Sequence, residues 1–233
     1  MSDARPVVAV TGLDFEARIA AGPGVRTVAG GGNHRGLAST LERELARGAT
    51  AIISFGISGG LVAEASAGTW LVADAVVTRT ARWAVDAAWA AALRRQLPGA
   101  VGGSVAGVNA IVASPAEKRA LGLITGAFAV DMESHVAAAF AAQHNVPFAV
   151  FRVVADPLQR ALAPAALDGM HSDGTVNRRA VLGSLLRMPG QLPLLVRNAI
   201  DTRTALRALS HGRRLLGPGL GYPDFRQLLV DVA

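Results

Sequence analysis

Three acidic residues stand out for where they fall. Glu16, Glu133 and Asp156 each lie just beyond a β-branched, apolar run, at 6–12 (PVVAVTG), 127–130 and 147–155 respectively. Glycine-rich segments at 30–32 and 56–60 sit at the ends of two further runs, 25–29 and 50–57. In open α/β sheets, ligands bind beyond the carboxyl ends of strands. Glycines there let the backbone come close to a ligand and present its amides. The five histidines, 34, 135, 144, 171 and 211, have no metal-ligand spacing, and there is no cysteine, so neither a metal nor a cofactor is expected. Acids gathered beside such turns point to acid/base chemistry on a polar organic substrate. Each acid also has a plainer reading: Asp156 as a cap before Pro157, Glu133 as a charge at a helix N-terminus, Glu16 as a surface residue of a short helix.

To bring these acids together the chain must build a sheet. Short β-branched runs alternate with helical patterns, the arrangement of an α/β fold. Strands are predicted at 6–12, 25–29, 50–57, 70–78, 104–113, 127–130 and 147–155. Helices are predicted at 14–21, 33–47, 84–97, 115–123 and 134–145, with Ser114 capping the fourth and Pro115 at its first position. From about 158 the character changes. Residues 158–175 are punctuated by Ala, Pro and Gly, and 176–209 reads as an Arg/Leu helical region broken at Pro189-Gly190, with Thr175 as its cap. Leu192, Leu195, Val196, Ala199 and Ile200 recur at helical spacing and give one apolar face. A length of 233 residues suits one α/β domain, with 158–233 as an appended helical section.

The order of the motifs is more specific than any one of them. VDMESHVAAAFAAQHNVPFAVFRVVADP (130–157) resembles the hallmark segment of the purine nucleoside phosphorylase and methylthioadenosine/S-adenosylhomocysteine nucleosidase superfamily. There a Met-Glu pair opens a helix, a V-P-F strand follows, and Arg-x-x-x-Asp closes it. SFGISGGL (54–61) resembles that superfamily's glycine-rich turn, and VAVTGLDFEARI (8–19) its first strand and acidic helix. The resemblance implies a three-layer α/β/α fold around a central mixed sheet, cleavage of a purine N-glycosidic bond, and a homo-oligomer of two or more subunits. Carried over by position, Asp156 protonates purine N7, Glu133 accepts hydrogen bonds from the ribose 2′- and 3′-hydroxyls, Met132 packs on the sugar, and Glu16 activates water. Ile111 and Val112 align with residues that sandwich and backbone-bond the base, with Asn109 beside them, and Gly56 and Ser58 belong to the glycine-rich turn at the substrate.

Within the superfamily, AVTGLDFEARIA, the triple glycine and the tail segment at 169–206 look like the hopanoid-associated phosphorylase branch. That likeness implies adenosylhopane as substrate, with adenine released and a ribosylated triterpenoid left behind. Hydrolysis and phosphorolysis both remain open. The superfamily usually has a hydroxyl residue directly after the first glycine of the turn, and here that position is Ile57, with Ser58 one residue later and expected to point elsewhere. Arg26 and Arg35 remain as phosphate clamps. A missing hydroxyl beside a present Glu16 favours water. A small soluble nucleoside such as methylthioadenosine or futalosine is the alternative substrate, and a nucleoside-binding regulatory protein the alternative outside enzymes. The presence of all three acids favours turnover.

Net charge is +6, and its placement is uneven: between Arg178 and Arg214 eight arginines face a single acid, Asp201, while the rest of the chain is near neutral. Such a tail is either a solvated helical face or a surface for an anionic partner. Aromatic residues that would stack on bases are almost missing from it, so no nucleic acid is expected. The apolar LGSLLRMPGQLPLLVRNAI stretch among the arginines has the composition of an interfacial segment, so peripheral membrane contact through 176–214 is expected. No apolar run approaches the ~20 residues of a spanning helix, and residues 1–6 lack the basic and apolar regions of a secretory signal. A cytoplasmic protein, peripheral at the inner membrane face, is the expectation.

Overall fold

A computed structural model describes residues 6–31, 34–168 and 178–223. In chain order its elements are β1 (Val7–Thr11), α1 (Asp14–Ala20), β2 (Val25–Ala29), α2 (His34–Ala46), β3 (Ala51–Gly60), β4 (Trp70–Val72), β5 (Ala75–Val77), β6 (Arg82–Ala84), α3 (Ala87–Gln96), β7 (Ser104–Gly107), α4 (Pro115–Thr125), β8 (Ala129–Asp131), α5 (Ser134–His144), β9 (Phe148–Asp156), α6 (Pro164–Asp168), α7 (Arg178–Arg187) and α8 (Leu192–Leu216). Together they make the mixed-sheet, three-layer α/β fold expected from the sequence.

Alternation along the central strands sorts their side chains into two cores. Val7, Ala9, Ile53, Phe55, Phe151 and Val153 face one side and pack with Trp89 and Leu93 of α3 and Leu209 of α8. Val8, Val10, Ile52 and Val150 face the other and pack with Leu37 and Leu41 of α2 and Ala137 and Phe140 of α5. The second half of α8 is therefore a core layer: Ala205, Leu209 and Leu216 are buried with that first set.

The sheet runs β2-β1-β3-β8-β7-β5-β6, and β9 adds to the opposite edge of β3, with β4 antiparallel beyond it. The long strand β3 is the hinge of this arrangement. It pairs in parallel with β1 through Ser54 and with β9 through Gly59, and its last two residues pair antiparallel with β8.

Local chemistry explains several departures from the predicted elements. The predicted strand 70–78 is two strands, because Asp74 leaves the ladder to accept from Gly103 N (2.9 Å) and pair with Arg94 (2.5 Å). The predicted helix 84–97 begins only at Ala87, where Asp86 caps the Trp89 amide at 2.8 Å; Ala84 belongs to a hairpin strand paired with Ala75. The predicted strand 104–113 stops at Gly107, where the backbone passes so close to His135 that a Cβ would lie 2.3 Å from that residue's own. The predicted turn 56–60 is extended strand. Ser114 does cap α4, in a reciprocal pair with Glu117. Gly32, Asn33, Thr175 and the predicted helix start at Val176 lie outside the described residues.

Candidate active site

The change of partners along β3 builds the site. β1 leaves β3 after Ser54 and β8 joins the same edge at Gly59. Between them the Ile57 amide donates to a side chain, Glu16 Oε1, at 2.7 Å. Glu16 Oε2 accepts from Gly12 N (2.8 Å) and Leu13 N (2.9 Å). Glu16 thus ties the end of β1 to the middle of β3. Its burial raises the carboxyl pKa, while Arg152 and the three amides act against that rise. Gly56 makes the approach possible: with φ +152°, a Cβ there would stand 2.6 Å from Glu16 Oε1 and 2.7 Å from Arg152 Nη1.

Arg152 is the buried hub. It projects from an apolar strand, donates from Nη2 to Ser54 Oγ at 2.6 Å and from Nη1 to the Ile57 carbonyl at 3.3 Å. Its Nε lies 2.7 Å from Asp131 Oδ2, an ion pair without hydrogen-bond alignment, and Nη2 lies 3.7 Å from Glu133 Oε2. Asp131 is held in turn by the Ser134 amide (2.9 Å) and the Ser134 hydroxyl, which also meets Ser54 Oγ at 2.7 Å. Glu133, at the β8–α5 junction, is pushed up to about 7. Burial is the main cause, with Asp131 and Glu16 adding to it and Arg152 opposing it.

Asp156 ends β9. Its Oδ2 lies 2.5 Å from Nζ of Lys118, a wholly buried α4 residue that also donates to the carbonyls of Asp156 (3.2 Å), Pro157 (3.1 Å) and Arg160 (2.8 Å). Burial raises the Asp156 carboxyl to about 6 against the pull of Lys118.

Glu16, Glu133 and Asp156 line one cavity of about 330 Å³. Met132, Ile111, Val112 and Ser58 share its wall, with further apolar surface from Leu13, Ile57, Val108, Val130 and Leu162. Ser58 was expected to point away. It is a wall residue beside the shift of β3–β9 register between Ser58 and Gly59, but its hydroxyl is buried and makes no hydrogen bond among the described residues. Three expected residues are not on the wall. Gly56 lies behind it, serving Glu16. Asn109 faces a neighbouring cavity, where its Oδ1 meets His135 Nε2 at 2.9 Å. Arg26 is turned away to α2: its Nη1 pairs with Glu44 (3.1 Å) and reaches the Arg47 carbonyl (3.3 Å). The Arg35 side chain lies outside the described residues.

Sequence reasoning passed over Asp131, Arg152, Ser54, Ser134 and Lys118. Two of these left signals. Arg152 is the lone charge inside the apolar run FAVFRVVA, and Lys118 is the only lysine in a chain that otherwise uses arginine throughout. A compact ammonium suits a closed pocket of one carboxylate and three carbonyls better than a planar guanidinium.

This fold and cavity define a class. The chain belongs to the Phosphorylase superfamily, whose family model matches residues 24–187. Solved structures of the same fold include the native futalosine hydrolase of Helicobacter pylori (14% identity, TM-score 0.63, 99% of each chain covered). Another is the 5′-methylthioadenosine/S-adenosylhomocysteine nucleosidase of H. pylori complexed with a substituted pyrrolidin-3-ol (15% identity, TM-score 0.63, 99% of each chain). A third is the S. pneumoniae nucleosidase of the same name with a transition-state inhibitor (13% identity, TM-score 0.58, 88% of this chain and 98% of that one). No curated protein matches the chain.

Proposed function

We propose that the protein hydrolyses the N-glycosidic bond of adenosylhopane, releasing adenine and ribosylhopane. One observation carries the catalytic part: Glu16, Glu133 and Asp156, from three separate segments, converge on one largely apolar cavity, with burial raising the pKa of all three. Asp156, protonated in a useful fraction near pH 6, gives its proton to purine N7 as the C1′–N9 electron pair passes to the base. Glu133 accepts hydrogen bonds from the ribose hydroxyls, and its negative charge favours a sugar carrying developing positive charge. Water adds to C1′ and passes its proton to Glu16, which three amides hold in place.

The charge balance of the cavity favours water over phosphate. Among the described residues it is lined by four carboxylates, those of Glu16, Asp131, Glu133 and Asp156, against one arginine. That arginine is already engaged by Asp131, Ser54 and Ile57. With Asp156 protonated, the carboxyl groups of Glu16, Asp131 and Glu133 still outnumber Arg152, and among the described residues no further cation lines the cavity to meet a phosphate dianion.

A second cavity, of about 690 Å³, adjoins the first through Val108, Ala110, Ile111 and Val112, and mixes apolar lining from Leu121 and Ile124 with polar lining from Thr78, Arg79, Thr80, Asn109, Glu117, Thr125 and His135. The futalosine and methylthioadenosine enzymes of the same fold make small nucleosides the rival substrates.

Incubation with adenosylhopane, with and without phosphate, followed by mass analysis of the sugar, tests the whole reading. Ribosylhopane in both mixtures is the expected product. A phosphoribosyl product overturns hydrolysis, and faster cleavage of methylthioadenosine or futalosine overturns the substrate. Lys118→Gln gives a finer check. Removing the cation beside Asp156 removes the influence that favours its ionised form, so the pH at which kcat/KM declines moves upward from about 6. An unshifted limb in a folded variant means that Lys118 does not tune the acid.

A further inference from the structure

The α8 helix carries two opposite faces. Asn198, Ala205, Leu209, Gly212 and Leu216 are buried against the sheet. On the far side a single stripe runs through Leu192, Val196 and Ile200 and then Arg203, Arg207 and Arg214, all exposed. The apolar end of the stripe is extended in the chain by Leu182, Leu186 and Met188, which are likewise exposed, each by half or more. From this arrangement we propose that the outer stripe of α8 is a docking surface for an anionic lipid bilayer, with its apolar end inserted at the headgroup level and its arginine end lying against the headgroups.

Charge decides between a bilayer and a second copy of the chain. Between residues 178 and 223 the sole acid is Asp201, and it sits on the opposite side of α8 in an ion pair with Arg160 (2.7 Å). The stripe therefore offers a second copy no carboxylate to meet Arg203, Arg207 and Arg214, whereas anionic headgroups supply that charge along its whole length. Among the described residues no helix is long and apolar enough to cross a membrane, so the surface lies on the bilayer.

The face is also tied to the cavity. Leu162 lines the cavity, and the segment around it is pinned to the inner side of the same helix: Asn198 accepts from Ala163 N (2.9 Å) and donates to the Ala161 carbonyl (3.0 Å), Arg160 pairs with Asp201, and Gln191 accepts from Ala165 N (2.8 Å). A bilayer under the outer stripe therefore lies one helix away from a wall of the site. Lipid binding itself requires no turnover and stands apart from the catalytic reading.

The test is flotation of the full-length protein with phosphatidylcholine vesicles and with mixed phosphatidylcholine–phosphatidylglycerol vesicles. The native protein floats with the mixed vesicles. The double variants Val196→Asp/Ile200→Asp and Arg203→Gln/Arg207→Gln each lower that partitioning by roughly 10-fold or more, at unchanged thermal stability. Equal flotation of native and variant proteins, or no flotation of the native protein with mixed vesicles, overturns the proposal. So does a fall in molar mass by light scattering on Val196→Asp/Ile200→Asp with vesicle binding intact, which assigns the face to a second copy. Adenine release from a soluble nucleoside without vesicles, measured in parallel, bears on the catalytic reading alone.

Discussion

Asp156→Asn is expected to slow adenine release by about 10²–10⁴-fold, the range spanned by well-placed general acids. The substitution keeps shape and polarity and removes the transferable proton. Lys118 retains three carbonyl acceptors, from Asp156, Pro157 and Arg160, so the local structure has reason to hold. The loss should therefore appear in kcat, with KM little changed. The pH profile adds a second signature. Burial raises the Asp156 carboxyl to about 6, so the proton-bearing form is present below that pH and lost above it. In the native protein kcat/KM falls as pH rises through that value, and the residual activity of the variant lacks this limb. A variant as fast as the native protein, or one with the same alkaline limb, would remove Asp156 from the chemistry and the nucleosidase reading with it.

The sheet was legible because its strands are nearly continuous apolar runs whose alternating residues divide cleanly between two cores, as with Val7/Ala9 and Val8/Val10. The cap at Ser114 was legible because capping is local chemistry. What escaped was set by register and by distant partners. Arg26 looked like a phosphate ligand from its type, but its place on β2 aims it at Glu44 of α2. Gly56 looked like a ligand contact, whereas the atom that forbids a side chain there belongs to Glu16, forty residues earlier in the chain. The end of β3 read as a turn because five residues with three glycines mimic one, yet pairing with β9 and β8 holds it extended. The tail read as an appendage because its arginines dominate the composition. The buried positions 198, 205, 209, 212 and 216 repeat at helical spacing beneath them, a pattern that an apolar count misses because asparagine, alanine and glycine fill three of the five.

Arg152→Met should be the most damaging single substitution for stability, and its cost should depend on pH in a defined direction. The guanidinium is almost wholly buried between Asp131 and Glu133, with Glu16 also feeling its charge. Removing one partner of a buried ion pair leaves the other charge uncompensated, at a cost of about 3–5 kcal/mol. Asp131 keeps the Ser134 amide and hydroxyl, so the larger burden falls on Glu133. In the native protein Glu133 is already raised from 4.5 to about 7, and Arg152 is the main influence restraining it. A carboxyl whose folded pKa lies above its unfolded value makes the folded state bind more protons between those two values. Its contribution to stability is then greatest below about pH 4.5 and declines as pH rises through about 7. Without Arg152 the folded value rises further and the decline extends to higher pH. Urea titrations should accordingly show a loss at pH 8 that exceeds the loss at pH 5, where Glu133 is protonated with or without the arginine. The double variant Arg152→Met/Glu133→Gln should recover part of the pH 8 loss, because the unpaired charge is gone. A loss equal at the two pH values, with no recovery in the double variant, would mean that Arg152 acts through packing alone. The electrostatic account of the cavity, and the argument from it that phosphate is unwelcome there, would then need another basis.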